Sequence, residues 1–337
     1  MTDSPIAARV HAAAGRFISA GIPPIEAHLD AELLARHALG GWDRSTYIVG
    51  ARESFPPERV SSFDALVERR AAREPIAYIV GHAEFWGLDF EVTPAVLIPR
   101  PETELIVESV LRLVGADEEV RPKADTATPA DEVAEGGGAP SPERQARVSQ
   151  RPLQIVDVGT GSGCLAVALA TEFPRARFTA TDISPDAIAV ARRNARRHGV
   201  EQRIAFLVAP FCGAANDCDI IVSNPPYVAE RDRASLQPEV RDHEPATALF
   251  AGNDGLAVIA DLIDTAWQDL SAGGGWLLFE FGFGQANAVR ALLDSARSPI
   301  DDTRRAWTDV QIVNDLQGIP RVAIARKAWD SGLACPP

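Results

Sequence analysis

Leu153-Gln154-Ile155-Val156-Asp157-Val158-Gly159-Thr160-Gly161-Ser162-Gly163 reads as a buried strand running into a glycine turn, and the apolar run from Cys164 to Phe173 reads as the helix that leaves it. Strand, glycine turn and helix in this order are the opening unit of a doubly wound α/β sheet, whose ligands bind outside the carboxyl ends of the strands. Glycine permits positive φ and lets a ligand approach the main chain closely. The glycines fall at alternate positions 159, 161 and 163, whereas the dinucleotide fingerprint G-x-G-x-x-G would want glycine or alanine where Cys164 stands. The loop therefore leans away from NAD.

Downstream the alternation continues. Strand-like runs near 177–181, 204–208, 219–223 and 275–281 are interleaved with helical patterns near 164–173, 185–198, 256–270 and 284–296, the rhythm of a parallel sheet with helices on both faces. Two further strands, Val310 to Asn314 and Arg321 to Arg326, are joined only by Asp315 to Pro320, too short for a crossover, so they should pair antiparallel and bring the sheet to seven strands. Upstream, Ile6 to about Gly81 shows helical spacing, as in Ile25, Leu29, Leu33 and Leu34, with Pro23-Pro24 and Pro56-Pro57 at helix starts. The expected organisation is a helical bundle over 1–82, a β-hairpin and linker over 83–104 with strands at Glu84 to Leu88 and Phe90 to Val96, and an α/β domain over 105–330. Within it, residues 115–150 are dominated by Pro, Ala, Gly and acidic residues, with too little apolar area to offset chain entropy, and read as a disordered insertion. A surface loop there is tolerable because closure cost grows only logarithmically with length.

Two further features lie at the same sheet edge. Asp182 ends the strand at 177–181, where a carboxylate can accept both hydroxyls of an adenosine ribose; it could equally cap the helix starting near Pro185, alongside Ser184. Asn224-Pro225-Pro226-Tyr227 closes the apolar run Asp219 to Ser223. Each proline lacks an amide hydrogen and fixes its own φ, so the strand must stop and nearby carbonyls stay free to accept. The Asn224 side-chain oxygen and the Pro225 carbonyl can take both hydrogens of a planar NH2 group while the Tyr227 ring packs on its flat face. Nicotinamide chemistry leaves this acceptor loop unexplained; S-adenosyl-L-methionine, with S-adenosyl-L-homocysteine as product, explains both motifs. An adenine amino group presents the same NH2, so the loop alone leaves a nucleic-acid base open as the acceptor.

The chain resembles the HemK/PrmC family, the protein-(glutamine-N5) methyltransferases that modify peptide chain release factors. The resemblance is carried by Arg73-Glu74-Pro75-Ile76-Ala77-Tyr78-Ile79-Val80-Gly81, by Phe85-Trp86-Gly87-Leu88-Asp89-Phe90 and by Leu97-Ile98-Pro99-Arg100-Pro101-Glu102-Thr103-Glu104. It continues through the glycine loop, Asn224 to Tyr227, Glu244-Pro245, Asp254-Gly255-Leu256, Glu280, Gly282 and Gln285. It implies a seven-stranded, doubly wound S-adenosylmethionine-dependent methyltransferase sheet with a small N-terminal helical domain that helps hold the release factor. The substrate it implies is the glutamine of the Gly-Gly-Gln tripeptide. On this reading Asn224, Pro225 and Tyr227 are catalytic, and Pro226 completes the substrate pocket. Gly159, Thr160, Gly161, Ser162, Gly163, Asp182, Phe211 and Asn224 bind the cofactor.

One departure stands out. The family usually places an acidic residue before an aromatic after the third strand, in contact with adenine; Val208-Ala209-Pro210-Phe211 supplies the aromatic without the acid. Phe211 can still stack on adenine, with a backbone carbonyl replacing the carboxylate.

Composition agrees with such an enzyme. The 337 residues, 46% hydrophobic, suffice for a full α/β core and a second small domain. A net charge of −14 argues against a protein whose main affinity is for phosphate backbones, so no direct nucleic-acid partner is expected. The basic run Arg192 to Arg197 reads as the solvated face and C-terminal end of a helix. Cysteines 164, 212, 218 and 335 form no Cys-x-x-Cys pair, so reduced thiols and no metal are expected. The N-terminus shows no leader pattern and no run is long enough to span a membrane, which leads to the expectation of a cytoplasmic protein; a monomer is expected besides.

Overall fold

The computed structural model describes residues 5–120, 151–213, 215–295 and 307–328. The chain opens with helices α1 (Ile6–Ser19), α2 (Pro24–Ala38), α3 (Arg44–Gly50), α4 (Pro57–Ala71) and α5 (Ile76–Val80). Proline occupies the first position of α2 and α4, where the missing N–H has no helical partner to lose. Asp43 caps α3 by accepting from the Thr46 amide at 2.7 Å. The inner face of α2 is Ala27, Ala31, Leu34, Ala35 and Ala38, small enough for α1 and α4 to close around Phe17, Phe55 and Phe63. Of the residues whose spacing indicates the helix, Leu34 is buried and Leu33 packs against the core, while Ile25 is 80% and Leu29 53% exposed. Close helix packing selects alanine, which a search for large aliphatic residues overlooks.

The hairpin comprises β1 (His82–Phe85) and β2 (Leu88–Glu91), with Phe85 opposite Leu88. Both strands end earlier than the sequence alternation suggested, because Trp86 and Gly87 form a two-residue turn with φ of 55° and 67°. Helix α6 (Glu104–Val120) follows. The first residues of the expected insertion, 115–120, continue this helix, and 121–150 lie outside the described residues.

The sheet then forms from β3 (Gln154–Val158), β4 (Arg177–Asp182), β5 (Ile204–Val208), β6 (Ile220–Ser223), β7 (Trp276–Glu280), β8 (Trp307–Asn314) and β9 (Pro320–Lys327). Their order is β5-β4-β3-β6-β7-β9-β8, with β9 antiparallel to both β7 and β8. Period-two alternation distributes the strands between two cores. Ile155, Ile220, Val222, Leu278, Val322 and Ile324 face α6, α7 (Cys164–Glu172) and α8 (Pro185–Arg197). Val156, Val158, Ile221, Leu277, Phe279 and Ala323 face α11 (Ala257–Asp269) and α12 (Ala286–Ser295). Two short helices, α9 (Pro238–His243) and α10 (Ala246–Leu249), lie between β6 and α11 in the chain.

Register decides what meets at the carboxyl edge. Val158 pairs with Thr181 on one side and Ser223 on the other, and Ser223 pairs with Phe279. Gly159, Asp182, Asn224 and Glu280 therefore emerge together. The basic run near the end of α8 is not merely solvated: Arg193 and Arg197 pair with Glu91 and Asp89 of β2 at 2.8 and 2.7 Å, fastening the hairpin to the helix. Among the described residues no helix is long and apolar enough to cross a membrane.

Candidate active site

A cavity of about 480 Å³ opens at this edge. Its walls are the glycine loop, Asp182 to Ser184, Ala209 to Phe211, Asn224 to Pro226, the segment Ala95 to Pro99 and the region of α10. The glycine loop has positive φ at 159, 161 and 163, which a side chain would strain. A Cβ on Gly163 would also lie 3.1 Å from the Ala191 Cα, so this glycine lets α8 pack against the turn.

Asp157 lies beneath the loop, fully buried. Its Oδ2 accepts from the Thr160 hydroxyl at 2.6 Å and the Ala166 amide at 3.1 Å, which fixes the loop onto the first turn of α7. Its Oδ1 has no partner. Burial pushes this carboxyl up to about 7, against the pull of its two donors. Ser162 Oγ is likewise buried without a partner.

Asp182 braces the loop from the other side, accepting from the Gly161 amide at 3.0 Å and the Ser184 amide at 2.9 Å. The cap of α8 is Ser184, whose hydroxyl accepts from Ala187 at 3.2 Å, so Asp182 is not the cap. Each of its oxygens has lone-pair capacity left for a hydroxyl donor. Phe211 stands on the cavity wall with φ 47° and packs partly on the second core; its carbonyl takes the Thr181 hydroxyl. A glycine loop, a carboxylate and an aromatic face around one cavity fit an adenosine bearing a charged amino-acid tail.

Asn224 follows β6 on the opposite wall. Its Nδ2 donates to the Thr103 hydroxyl at 2.9 Å, while its Oδ1 is buried and unpartnered. Among the described residues no donor reaches the Pro225 carbonyl. Tyr227 donates to Glu280 Oε1 at 2.9 Å, and burial with the adjacent Glu280 pushes its phenol far above the ordinary value. Backbone crowding holds the loop: a Cβ on Gly255 would sit 2.2 Å from the Tyr227 carbonyl, and one on Gly282 would sit 3.1 Å from the Tyr227 ring. Gln285 completes the seat, donating to the Tyr227 carbonyl at 3.0 Å and accepting from the Gly282 amide at 2.7 Å.

All the sequence-predicted residues except Gly163 and Tyr227 line the cavity itself; Gly163 lies at the start of α7 and Tyr227 just behind Pro226. Four residues were given no role by the sequence reading. Thr103 and Glu280 hold Asn224 and Tyr227. Glu244 accepts from the Ile98 amide at 3.2 Å and from Arg100 at 2.5 Å, tying the segment before α6 to the end of α9. Asn194, wholly buried, exchanges bonds with the Glu91 backbone at 2.7 and 2.9 Å and donates to the Ser162 carbonyl at 2.8 Å. Thr103, Glu244 and Glu280 stand in segments that carry the family resemblance, and Asn194 is a lone polar residue on the inner face of a helix; these were the available signals. Cys164, Cys212 and Cys218 are unpaired, and among the described residues no group of His, Cys, Asp and Glu could hold a metal. Cys335 lies outside the described residues.

Comparison with known proteins agrees with this geometry. Residues 10–81 match the family model described as PrmC N-terminal domain, and residues 146–240 match the methyltransferase small domain. The chain is 38% identical over 302 residues to the release factor glutamine methyltransferase of Koribacter versatilis (strain Ellin345), covering 89% of this chain and 91% of that protein. It is 38% identical over 302 residues to the protein of the same description from Geobacter sulfurreducens, with 89% of each covered. Among solved structures, the hMettl16 catalytic domain in complex with MAT2A 3′UTR hairpin 6 superposes with a TM-score of 0.50 at 16% identity, covering 80% of this chain and 84% of that one, a likeness of fold.

Proposed function

The chain belongs to the release factor glutamine methyltransferases, and from that membership we propose how its own residues carry the reaction. The protein transfers a methyl group from S-adenosyl-L-methionine to a glutamine side chain of a peptide chain release factor. The glutamine is that of the Gly-Gly-Gln tripeptide, methylated at its amide nitrogen N5. When bound, S-adenosylmethionine supplies an electrophilic methyl on a sulfonium. Gly159 to Gly163 hold its amino-acid tail, Asp182 accepts from its ribose and Phe211 stacks on its adenine.

An amide nitrogen is a poor nucleophile because its lone pair is shared with the carbonyl. Asn224 Oδ1 and the Pro225 carbonyl accept its two hydrogens, orienting the lone pair and placing acceptors where positive charge develops. Pro226 and Tyr227 bound the flat group, and holding both reactants in line supplies much of the acceleration. Tyr227 keeps its proton at neutral pH, given the direction in which its phenol is pushed, so it is a wall and not a base. The proton lost from the methylated nitrogen goes to water.

The observation that supports this reading most is that Asn224, whose Oδ1 is buried and without a partner, stands on the same cavity as the glycine loop. We read the protein further as a cytoplasmic monomer that acts on protein and not directly on nucleic acid, with the N-terminal bundle gripping the release factor through exposed apolar side chains such as Ile25, Leu29, Ile48 and Val49. Incubation with labelled methyl donor and either release factor or DNA tests it. Label should enter the release factor, and mass spectrometry of its tryptic peptide should place one methyl on the glutamine amide; labelled DNA, or a methyl elsewhere, would overturn the assignment.

A further inference from the structure

Asn224 can act as an acceptor only if its carboxamide turns the oxygen, and not the NH2, toward the cavity. The two ends of a carboxamide have nearly the same shape, so packing alone does not choose between them. Hydrogen bonds do. Ser223 lies opposite Phe279, so Asn224 and Glu280 leave their strands as neighbours. Between them sits Thr103, from the turn Pro101–Thr103, with its Oγ1 2.6 Å from Glu280 Oε2 and 2.9 Å from Asn224 Nδ2. All three side chains are tied at the cavity edge, with Thr103 and Glu280 each 1% exposed.

We propose that Glu280 is a positioning residue for methyl transfer, which acts through Thr103 to fix the Asn224 carboxamide in its acceptor orientation. The inference rests on Asn224 being the amide acceptor, as proposed above. A threonine hydroxyl has one proton, and a carboxylate can only accept. The Thr103 proton therefore goes to Glu280, which leaves Oγ1 as an acceptor that only the Asn224 NH2 can satisfy. Its oxygen is then the end turned away from Thr103 and left without a partner. The other oxygen of the same carboxylate takes the Tyr227 hydroxyl at 2.9 Å, so one group sets both the acceptor and the ring beside it.

An amide at position 280 would break this logic. Its NH2 could donate to Thr103, whose proton would pass to Asn224, and the Asn224 carboxamide would turn over. Its own NH2 would then face the substrate NH2, donor against donor. A carboxylate at this depth is costly to keep: burial and Glu102 push the Glu280 carboxyl up from its usual range, while Thr103, Tyr227 and Arg321 pull it down. Apolar packing is often the more stable choice in such places. The directional role gives a reason for the charge.

The test compares wild type with Thr103→Val, Thr103→Ser and Glu280→Gln. Affinity for S-adenosylmethionine is measured by calorimetry, kcat and KM with a release factor, and inhibition by a release factor whose Gly-Gly-Gln glutamine is changed to glutamate. T103V and E280Q should lose at least about 100-fold in kcat, the scale of removing one oriented group from a transition-state site. Cofactor affinity should stay within about threefold, which also establishes that the variants fold. T103S, which restores the hydroxyl, should recover to within about tenfold of wild type. In E280Q the glutamate-bearing release factor should gain at least about tenfold as a competitor, because an NH2 now faces a carboxylate. If E280Q does not fold, the valine and serine variants carry the test. Near-normal kcat in T103V, or T103S as slow as T103V, would overturn the proposal while wild-type turnover kept the functional reading. A wild type that leaves release factor unmodified would defeat that reading first and this one with it.

Discussion

Arg70 of α4 and Glu239 of α9 stand 2.8 Å apart across 169 residues of sequence, and with Arg73 and Asp30 they form a buried ionic joint between the helical bundle and the sheet domain. The Arg70 side chain is 5% exposed, so its charge depends on Asp30 at 2.7 Å and on Glu239. Replacing Glu239 with Ala should cost about 3 kcal/mol in chemical denaturation, because it leaves two guanidinium groups short of a partner in a poorly solvated place. Glu239→Gln keeps the side-chain volume and one acceptor oxygen but loses the charge and sets its NH2 against the other guanidinium, so it should be destabilising as well. An unchanged denaturation midpoint in E239A would mean that the joint is open to water.

Asp157 predicts an unusual pH response. Its folded carboxyl is pushed up to about 7 from an ordinary value of 3.8, so between those values the folded protein keeps a proton that the unfolded chain has lost. Stability from this group is full below about pH 4 and is lost as pH rises through about 7, a change on the order of 4 kcal/mol. Melting of the cofactor-free protein from pH 5 to pH 8 should decline more steeply for wild type than for Asp157→Asn. Parallel curves for the two would contradict the assignment.

Asn224→Ala and Asp182→Ala should fail differently. The first should lower turnover by about 100-fold or more with cofactor affinity retained, because it removes an acceptor at the reacting nitrogen. The second should first weaken cofactor binding, by roughly 10- to 100-fold, the value of a hydrogen bond to a charged group. Calorimetry with S-adenosylmethionine beside steady-state rates separates them, and near-normal turnover in N224A would remove the central residue of the mechanism.

Asn194→Ala should be among the more damaging single changes away from the cavity wall. It deletes three hydrogen bonds of a wholly buried side chain and leaves the Ser162 carbonyl and both backbone groups of Glu91 to find other partners. The expected loss is about 3 kcal/mol, with weaker cofactor binding because the glycine loop loses its tie to the hairpin. Thermal melting with and without cofactor reads both effects.

The sheet was legible because its central strands β3, β6 and β7 are buried on both faces and so read as short apolar runs ended by turn residues; β3 and β5 fall on the expected residues and the remaining strands within a few positions. The hairpin was displaced because Trp86 looks like a strand residue and is in fact half of the turn. In the bundle, exposed Ile25 and Leu29 drew attention from the alanine face that packs. At the site, the meeting of the glycine loop and Asn224 to Pro226 on one cavity could be anticipated because both segments end neighbouring strands and carry local sequence signals. Their supports could not: Thr103 lies 121 residues from Asn224 and 177 from Glu280, and Asn194 lies 103 from Glu91. Such pairings arise from strand register and helix docking, and nothing in neighbouring residues announces them.

The paired prolines at 225 and 226 have a practical effect on how this loop can be watched in solution. Neither has an amide proton, so amide exchange and backbone spectra fall silent across the stretch proposed to meet the substrate. The carboxamide signals of Asn224, held by Thr103, and of Gln285, held by the Tyr227 carbonyl, are the natural reporters there. Their two side-chain NH2 resonances should register substrate arrival before any main-chain signal does.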